Sequence, residues 1–218
     1  MNSGQRVAIL GGTFDPIHYG HLVAAEIARY QFQLDRVIFM PAARPPHKEL
    51  NSILSRNHRY RMVCLAIEDN QAFIISDLEM QRPGNSYTID TIDYFISQQP
   101  QDSFYFIMGM DSLLSMHSWK DIARLSTLCQ FIVVTRPNYV LDLDMPSLQQ
   151  LPQQLWDNLH IMAIPGVDIS STDIRQRVRE GQPIKYLLPA QVEQYVNDHG
   201  LYQRKEKDDC IMNNNCRK

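Results

Sequence analysis

Two histidines stand close together near the start of the chain, in the run His18-Tyr19-Gly20-His21. Residues three apart on a helix share one face, so both imidazoles can address the same point. Gly20 between them leaves room for a ligand. The turn Thr13-Phe14-Asp15-Pro16 precedes the pair and places it where a helix begins. Imidazoles beside the unpaired N–H groups of a helix start suit an anion such as a phosphate.

A glycine pair precedes this turn and ends the first predicted strand, Arg6 to Leu10. Gly11 and Gly12 would let the backbone approach a phosphate closely. The loop and helix start then lie at the carboxyl end of a strand, where open α/β sheets bind ligands. Neither the G-x-G-x-x-G dinucleotide fingerprint nor a Walker loop with G-K-[ST] is present, which excludes both of those readings.

A second group of hydroxyl and cationic residues occurs late in the chain, in the run Ile169-Ser-Ser-Thr-Asp-Ile-Arg175. The pattern predicts a helix with Ser171 or Thr172 as its N-cap and Asp173 in its first turn. The same N–H groups that a cap satisfies can also bind an anion.

Charge is unevenly placed along the chain. The net charge of -3, from 21 Lys and Arg against 24 Asp and Glu, argues against a general nucleic-acid binder. The segment from residue 44 to residue 61 contains a single acid, Glu49. Its cationic residues and histidines are Arg44, His47, Lys48, Arg56, His58, Arg59 and Arg61. We expect these groups to converge with the histidine pair on one cleft for a polyanion. The alternative is a solvated loop and helix face.

Short apolar runs alternate with helical patterns, which is typical of parallel βαβ units. The predicted strands are Arg6 to Leu10, Arg36 to Met40, Phe73 to Ser76, Phe104 to Gly109, Gln130 to Thr135 and His160 to Ile164. The predicted helices are Gly20 to Gln33, Arg56 to Asp69, Tyr87 to Gln99, Ser147 to Asp157, Ser171 to Glu180 and Pro189 to His199. In the first helix, Val23, Ile27, Tyr30 and Leu34 have the spacing of a buried stripe. The predicted fold class is α/β, a Rossmann-like doubly wound parallel sheet with a small helical C-terminal subdomain.

The pattern predicts a single domain over residues 1–202, with the helical subdomain at about 166–202 and a flexible tail at 203–218. Apolar runs are far shorter than the ~20 residues that a membrane span needs, and no signal peptide is expected. Cysteines at 64, 129, 210 and 216 have no C-x-x-C spacing, which favours a reducing cytoplasmic location over a disulfide framework. The apolar stripes on the helices could be buried in a core or in a subunit interface, so the sequence predicts no oligomeric state.

Taken together, the H-x-G-H histidines, the segment Gly11-Gly-Thr-Phe-Asp-Pro16 and the run 169–175 resemble the nucleotidyltransferase superfamily of Rossmann-like adenylyl and cytidylyl transferases. Further segments are Pro45-Pro-His-Lys48, Ser86-Tyr-Thr88, Gly109-Met-Asp111, Trp119 and Arg136-Pro137. With these, the chain from about Val7 to Tyr202 is similar to the bacterial nicotinate-nucleotide adenylyltransferases.

This resemblance implies transfer of AMP from ATP to nicotinate mononucleotide, giving deamido-NAD and pyrophosphate. His18 and His21 would be catalytic and would hold the ATP phosphates. The implied ATP-binding set also contains Gly11, Gly12, Thr13, Phe14, Gly109, Asp111, Arg136, Ser171 and Arg175. The implied nicotinate-mononucleotide set is Thr13, His47, Lys48, Tyr87, Thr88, Trp119 and Lys120.

One position departs from the family pattern. Many members have a second aromatic residue after the tryptophan, whereas this chain has Lys120. A lysine near the nicotinate carboxylate could strengthen the preference for the acid over the amide. We expect Mg²⁺ to arrive with ATP, because Mg²⁺ keeps several waters and binds substrate phosphates. No dedicated metal ligand is predicted, and Asp15 is the only nearby acid considered as an outer-sphere partner.

The sequence is compatible with three other functions. A related transferase would use phosphopantetheine, nicotinamide mononucleotide or a phosphoalcohol as acceptor, which the Ser86-Tyr-Thr88 segment and Trp119 disfavour. A class I aminoacyl-tRNA synthetase shares the histidine pair, but the chain has no K-M-S-K-S-like loop. A non-catalytic nucleotide-sensing module would retain the fold without turnover, and the intact histidine pair disfavours it.

Overall fold

The computed structural model describes residues 4–45, 53–135, 141–166 and 168–204. The predicted site residues His47, Lys48 and Arg136 lie outside the described residues, as do residues 205–218 of the predicted tail with Cys210 and Cys216.

Six parallel strands form one sheet. They are β1 (Arg6–Gly12), β2 (Arg36–Pro41), β3 (Phe73–Ile75), β4 (Ser103–Gly109), β5 (Gln130–Thr135) and β6 (Leu159–Ala163). Their order across the sheet is β3-β2-β1-β4-β5-β6, and every neighbouring pair is parallel. All six predicted strands are confirmed, with ends that differ by at most about two residues.

The helices are α1 (Tyr19–Gln31), α2 (Arg56–Ile67), α3 (Leu78–Gln81), α4 (Thr88–Gln98), α5 (Met110–Ser115), α6 (Ile122–Leu128), α7 (Pro146–Gln149), α8 (Gln153–Asp157), α9 (Ser171–Arg179) and α10 (Ala190–Asp198). The helix predicted from Ser147 to Asp157 is wrong as one element, because α7 and α8 are separate. Sequence analysis missed α3, α5 and α6, which have only four to seven residues each and carry little periodic signal. Among the described residues, no helix is long and apolar enough to cross a membrane.

Both faces of the sheet are covered. On one face, Leu10, Phe39 and Ile107 belong to a core cluster that also contains residues of α1, α2, α9 and α10. On the other, Ile9, Met40 and other strand residues pack with side chains of α4 to α8. Successive strand residues therefore enter opposite cores, which is why the strands read as nearly continuous apolar runs. The doubly wound Rossmann-like class is confirmed.

The strand order reverses between β1 and β4. From β1 the chain winds outward through β2 and β3, then returns to β4 beside β1 and winds the other way. At such a switch point the connections leave in opposite directions and open a crevice at the carboxyl ends of the strands. The glycine pair that ends β1 and the start of α5 after β4 both lie at this crevice.

The stripe predicted on α1 is wrong in its details. Tyr30 is 83% exposed, whereas Ala24, Ala25 and Ala28 are buried. Helix α1 therefore packs against the sheet through its small side chains, which allow a close approach. Of the predicted stripe, Leu34 is buried in the core as expected, and Ile27 is half-buried against it.

Arg59 on α2 is a buried cation that fastens the loops beside the crevice. Its guanidinium donates to the carbonyl oxygens of Thr13 (2.8 Å), Ala42 (2.7 Å) and Leu54 (3.1 Å). Burial lowers the pKa of Arg59, an effect that the nearby Asp15 charge opposes. The residue links the loops after β1 and β2 to the start of α2.

Replacing Arg59 with Met should lower the free energy of unfolding by about 3 kcal/mol, because buried carbonyls would lose their donors. Arg61→Met is the matched control, since Arg61 is exposed on the same helix. Urea denaturation of both variants measures the difference. Equal stability of the two variants would contradict the assigned role of Arg59.

Candidate active site

The glycine pair lies inside β1. Gly11 and Gly12 continue the parallel pairing with Met40 and Pro41 of β2. A Cβ atom at Gly11 would lie 2.9 Å from Cζ of Phe106, and one at Gly12 would lie 2.9 Å from the Phe14 ring. Side chains are therefore excluded at both positions by aromatic packing. This packing is a second reason for glycine at these positions. The first, expected from the sequence, is that glycine lets the backbone approach a phosphate closely.

The turn after β1 is held in place by side chains that donate hydrogen bonds to its backbone carbonyl oxygens. Phe14 is buried and has a left-handed φ of 50°, a conformation that non-glycine residues rarely adopt. Arg175 donates to the Asp15 carbonyl at 2.7 Å, and the Ser171 hydroxyl donates to the Pro16 carbonyl at 2.8 Å. With Arg59 on Thr13, three distant side chains bind three carbonyls of residues 13–16, which we call the clamped turn.

The Asp15 side chain is also used within the protein. One carboxylate oxygen accepts the Tyr202 hydroxyl at 2.7 Å, and the other accepts the Leu54 amide at 3.4 Å. Burial and the Asp15 charge raise the pKa of Tyr202, so its hydroxyl stays protonated and donates. Because Asp15 is buried with these partners, we do not retain it as an outer-sphere partner of a metal ion.

The two histidine rings face each other at the start of α1. Their centroids are 3.8 Å apart, and the edge of Phe14 lies against His21 with centroids 5.1 Å apart. Nδ1 of His21 accepts the backbone N–H of His18 at 3.3 Å. In the neutral ring that bond leaves the proton on Nε2, which makes Nε2–H of His21 a hydrogen-bond donor.

His18 is the more buried ring, with 6% of its surface exposed. Burial lowers its pKa to about 4, so the imidazole is neutral near pH 7. Its Nδ1 is buried and has no hydrogen-bond partner among the described residues. A Cβ at Gly20 would lie 3.0 Å from this ring. A side chain at this position would press on His18, and Gly20 itself lines the adjacent cleft.

A cleft of about 800 Å³ opens over the histidine pair at the carboxyl ends of the strands. Predicted site residues that line it are Gly11, Gly12, Thr13, His18, His21, Thr88, Gly109, Asp111 and Trp119. Among the described residues, no group of three His, Cys, Asp or Glu side chains is arranged to hold a metal ion. The structure therefore brings together the glycine loop, the histidine pair and the start of α5.

A smaller pocket of about 160 Å³ adjoins this cleft, and the two share Ser86, Thr88, Ser112 and Trp119. The predicted residues Tyr87 and Lys120 line it as well. The indole of Trp119 meets Phe106 edge-on, with centroids 5.8 Å apart. The pocket is small, and the indole gives it an aromatic wall.

Glu79 lines the cleft and was missed by sequence analysis. It is buried, and burial raises the pKa of its carboxyl. It accepts the Thr91 hydroxyl at 2.8 Å and also bonds the Ser86 side chain, whose oxygen accepts the Ala43 amide at 3.1 Å. These bonds tie the start of α4 to the loop after β2. Nothing in a lone acid within the four-residue helix α3 indicates that it will be buried.

Other predicted residues lie differently. The N-cap of α9 is Ser170, which accepts the Asp173 amide, so the prediction of Ser171 or Thr172 is wrong. Phe14 lies beneath His21 in the core, which leaves its backbone for the predicted phosphate role. Ser171 and Arg175 bind the clamped turn, and their predicted phosphate contacts stay predictions.

The predicted funnel of cations is not formed by the described residues. Arg44, Arg56 and Arg59 line a separate pocket of about 490 Å³ together with Arg82. His58 instead bonds the Tyr195 hydroxyl on α10 at 3.0 Å. Arg56, His58 and Arg59 of the basic segment therefore mainly form hydrogen bonds that connect loops and helices. The expectation of one convergent cleft was wrong for these residues.

The chain is similar to known proteins over most of its length. A family model described as cytidylyltransferase-like matches residues 9–177. A Moorella thermoacetica protein named probable nicotinate-nucleotide adenylyltransferase is 47% identical over 199 residues, covering 91% of this chain and 92% of its own. A Thermoanaerobacter protein of the same name is 43% identical over 95% of this chain and 99% of its own.

Among solved structures, Plasmodium falciparum nicotinic acid mononucleotide adenylyltransferase complexed with NaAD superposes with a TM-score of 0.75. It is 22% identical and covers 91% of this chain and 97% of its own. At that identity the likeness supports the shared fold.

The lowered pKa of His18 predicts how stability depends on pH. Between about pH 6.5 and pH 4 the unfolded chain binds a proton that the folded His18 does not, so stability falls as the pH falls. From pH 7 to pH 4, the wild type should lose about 3 kcal/mol more of its unfolding free energy than His18→Asn. Chemical denaturation across this pH range measures the loss. Parallel curves for the two proteins would contradict the buried neutral state.

Proposed function

The chain belongs to the cytidylyltransferase-like family, and we propose that it is a nicotinate-nucleotide adenylyltransferase. It transfers AMP from ATP to nicotinate mononucleotide, which gives deamido-NAD and pyrophosphate.

One observation carries this proposal beyond the family. The cleft over the histidine pair continues into the small pocket of Thr88 and Trp119, so an anion site and a site for a flat ring share a wall. A mononucleotide joins those two chemistries, since it carries a phosphate at one end and a ring at the other.

The reaction is one displacement at phosphorus. A phosphate oxygen of nicotinate mononucleotide forms a bond to the α-phosphorus of ATP, and the bond from that phosphorus to the oxygen bridging to the β-phosphorus breaks. Both reactants are anions, so the barrier lies in bringing them together and in charge that moves to the leaving pyrophosphate. Positioning and fixed donors supply most of the catalysis in such reactions.

We assign the phosphates of ATP to the histidine pair. The Nε2–H of His21 is a donor at a helix start and stabilises charge on the transferring phosphoryl group. His18 lies against it and donates from a buried position, where hydrogen bonds are stronger than in water. Amides of Gly12 to Phe14 and the Thr13 hydroxyl orient the α-phosphate and the incoming phosphate.

The remaining ATP contacts are proposed from the positions of the residues. Gly109 and Asp111 lie at the end of β4 and the start of α5, where they contact the ribose. Arg175 uses two N–H donors on Asp15 and Thr172, and a guanidinium carries five, so it can hold the turn and also bind a β- or γ-phosphate. Ser171 is the weaker assignment, since its hydroxyl already donates to Pro16.

The nicotinate end is assigned to the small pocket. The ring stacks on Trp119, which offers an aromatic surface to an electron-poor ring. Amides at Thr88 and Lys120 donate to the carboxylate, and Thr88 is the first residue of α4, where N–H groups are unpaired within the helix. Tyr87 completes the wall of the pocket.

Some contacts remain proposals from the sequence resemblance. His47 and Lys48 are assigned to a phosphate of either substrate, and Arg136 to the ATP site. We propose that Mg²⁺ enters bound to ATP phosphates, where it offsets their charge, and we assign it no protein ligand.

Comparison of phosphate acceptors tests the proposal. Pyrophosphate release from ATP should show a kcat/KM at least about tenfold higher with nicotinate than with nicotinamide mononucleotide, because only the acid accepts charge-assisted backbone bonds. Phosphopantetheine and glycerol phosphate are the control acceptors and should give no turnover. Equal rates with the two mononucleotides, or turnover only with a control acceptor, would overturn the assignment.

A further inference from the structure

A pair of opposite charges lies at the nicotinate pocket. Nζ of Lys120 is 2.8 and 3.0 Å from the two carboxylate oxygens of Asp90, and it lies 4.9 Å from the centroid of the Tyr87 ring. Lys120 and Tyr87 both line the pocket. The ammonium group is therefore held against Asp90 and the tyrosine ring at the pocket wall.

Asp90 lies in the first turn of α4, two residues after Thr88. A carboxylate in a first turn is attracted by the positive end of the helix dipole. A nicotinate carboxylate bound at Thr88 would use the same end of the same helix. An unneutralised Asp90 would therefore repel the acid, while it would have little effect on the neutral amide of nicotinamide.

We propose that Lys120 is a specificity-determining residue, whose side chain neutralises Asp90 so that the pocket accepts a carboxylate at the start of α4. This inference rests on the proposed function and assigns a role to the Lys120 side chain in it. The selectivity for the acid therefore depends on the Lys120–Asp90 ion pair. Without Lys120, the backbone N–H groups would bind the nicotinate carboxylate beside an uncompensated negative charge on Asp90.

A neighbouring ion pair separates this role from simple helix packing. Arg124 on α6 donates to Asp93 on α4 at 2.7 Å, one helical turn further along. Its side chains are 50% and 37% exposed, against 49% and 43% for Lys120 and Asp90. Both pairs join the same part of the fold, but neither Arg124 nor Asp93 lines the pocket.

The experiment compares the ratio of kcat/KM for nicotinate to that for nicotinamide mononucleotide. In Lys120→Met the ratio should fall about fivefold, the upper range for a partly exposed charge pair. The double variant Lys120→Met with Asp90→Asn should return it to within about twofold of wild type, because no charge remains unpaired. Arg124→Met is the matched control and should leave the ratio at the wild-type value.

Each outcome bears on the proposal. An unchanged ratio in Lys120→Met, or a double variant as low as the single one, would overturn it. An equal fall in Arg124→Met would also overturn it, since the effect would then belong to the helix contact. Turnover of nicotinate mononucleotide by the wild type tests the proposed function separately. A failure of that function can therefore be distinguished from a failure of the role proposed for Lys120. Thermal melting of every variant checks that the fold is retained.

Discussion

The site depends on the clamped turn, residues 13–16, whose carbonyl oxygens are bound by side chains from distant parts of the chain. Arg59 comes from α2, and Ser171 and Arg175 come from α9. A turn with a buried left-handed Phe14 would not hold its shape alone, since that conformation is unfavourable. Phe14 in turn supports His21. The position of the histidines therefore depends on the sheet, on α2 and on the C-terminal helices together.

The site has little formal positive charge for one that binds two anions. His18 is neutral near pH 7, and the described arginines of the basic run serve loops or a separate pocket. Apart from Arg175, what remains is a set of oriented N–H donors on the strand-end loop, the starts of helices and the histidine rings. Fixed donors cost no reorganisation as charge develops. Because His18 is neutral, the pair avoids the repulsion that two adjacent imidazolium ions would have at a centroid distance of 3.8 Å.

Much of this could be predicted from the sequence because its signals are local. Strands buried on both faces are continuous apolar runs, and the histidine spacing within H-x-G-H is short. The errors arise where a role depends on contacts across the fold. Tyr30 fitted a helical stripe but lies outside the alanine contact. Arg59 belonged to a charged run but is buried, and the burial of Glu79 follows from Ser86 and Thr91, which no local pattern reveals.

The central claim is that His21 acts as a fixed donor to the transferring phosphoryl group. The most direct test is kcat for pyrophosphate release by His21→Ala at saturating ATP and nicotinate mononucleotide, with folding checked by circular dichroism. We expect kcat to fall about a hundredfold or more, the range for loss of one such donor. A variant that is folded and retains kcat within about threefold of wild type would contradict it.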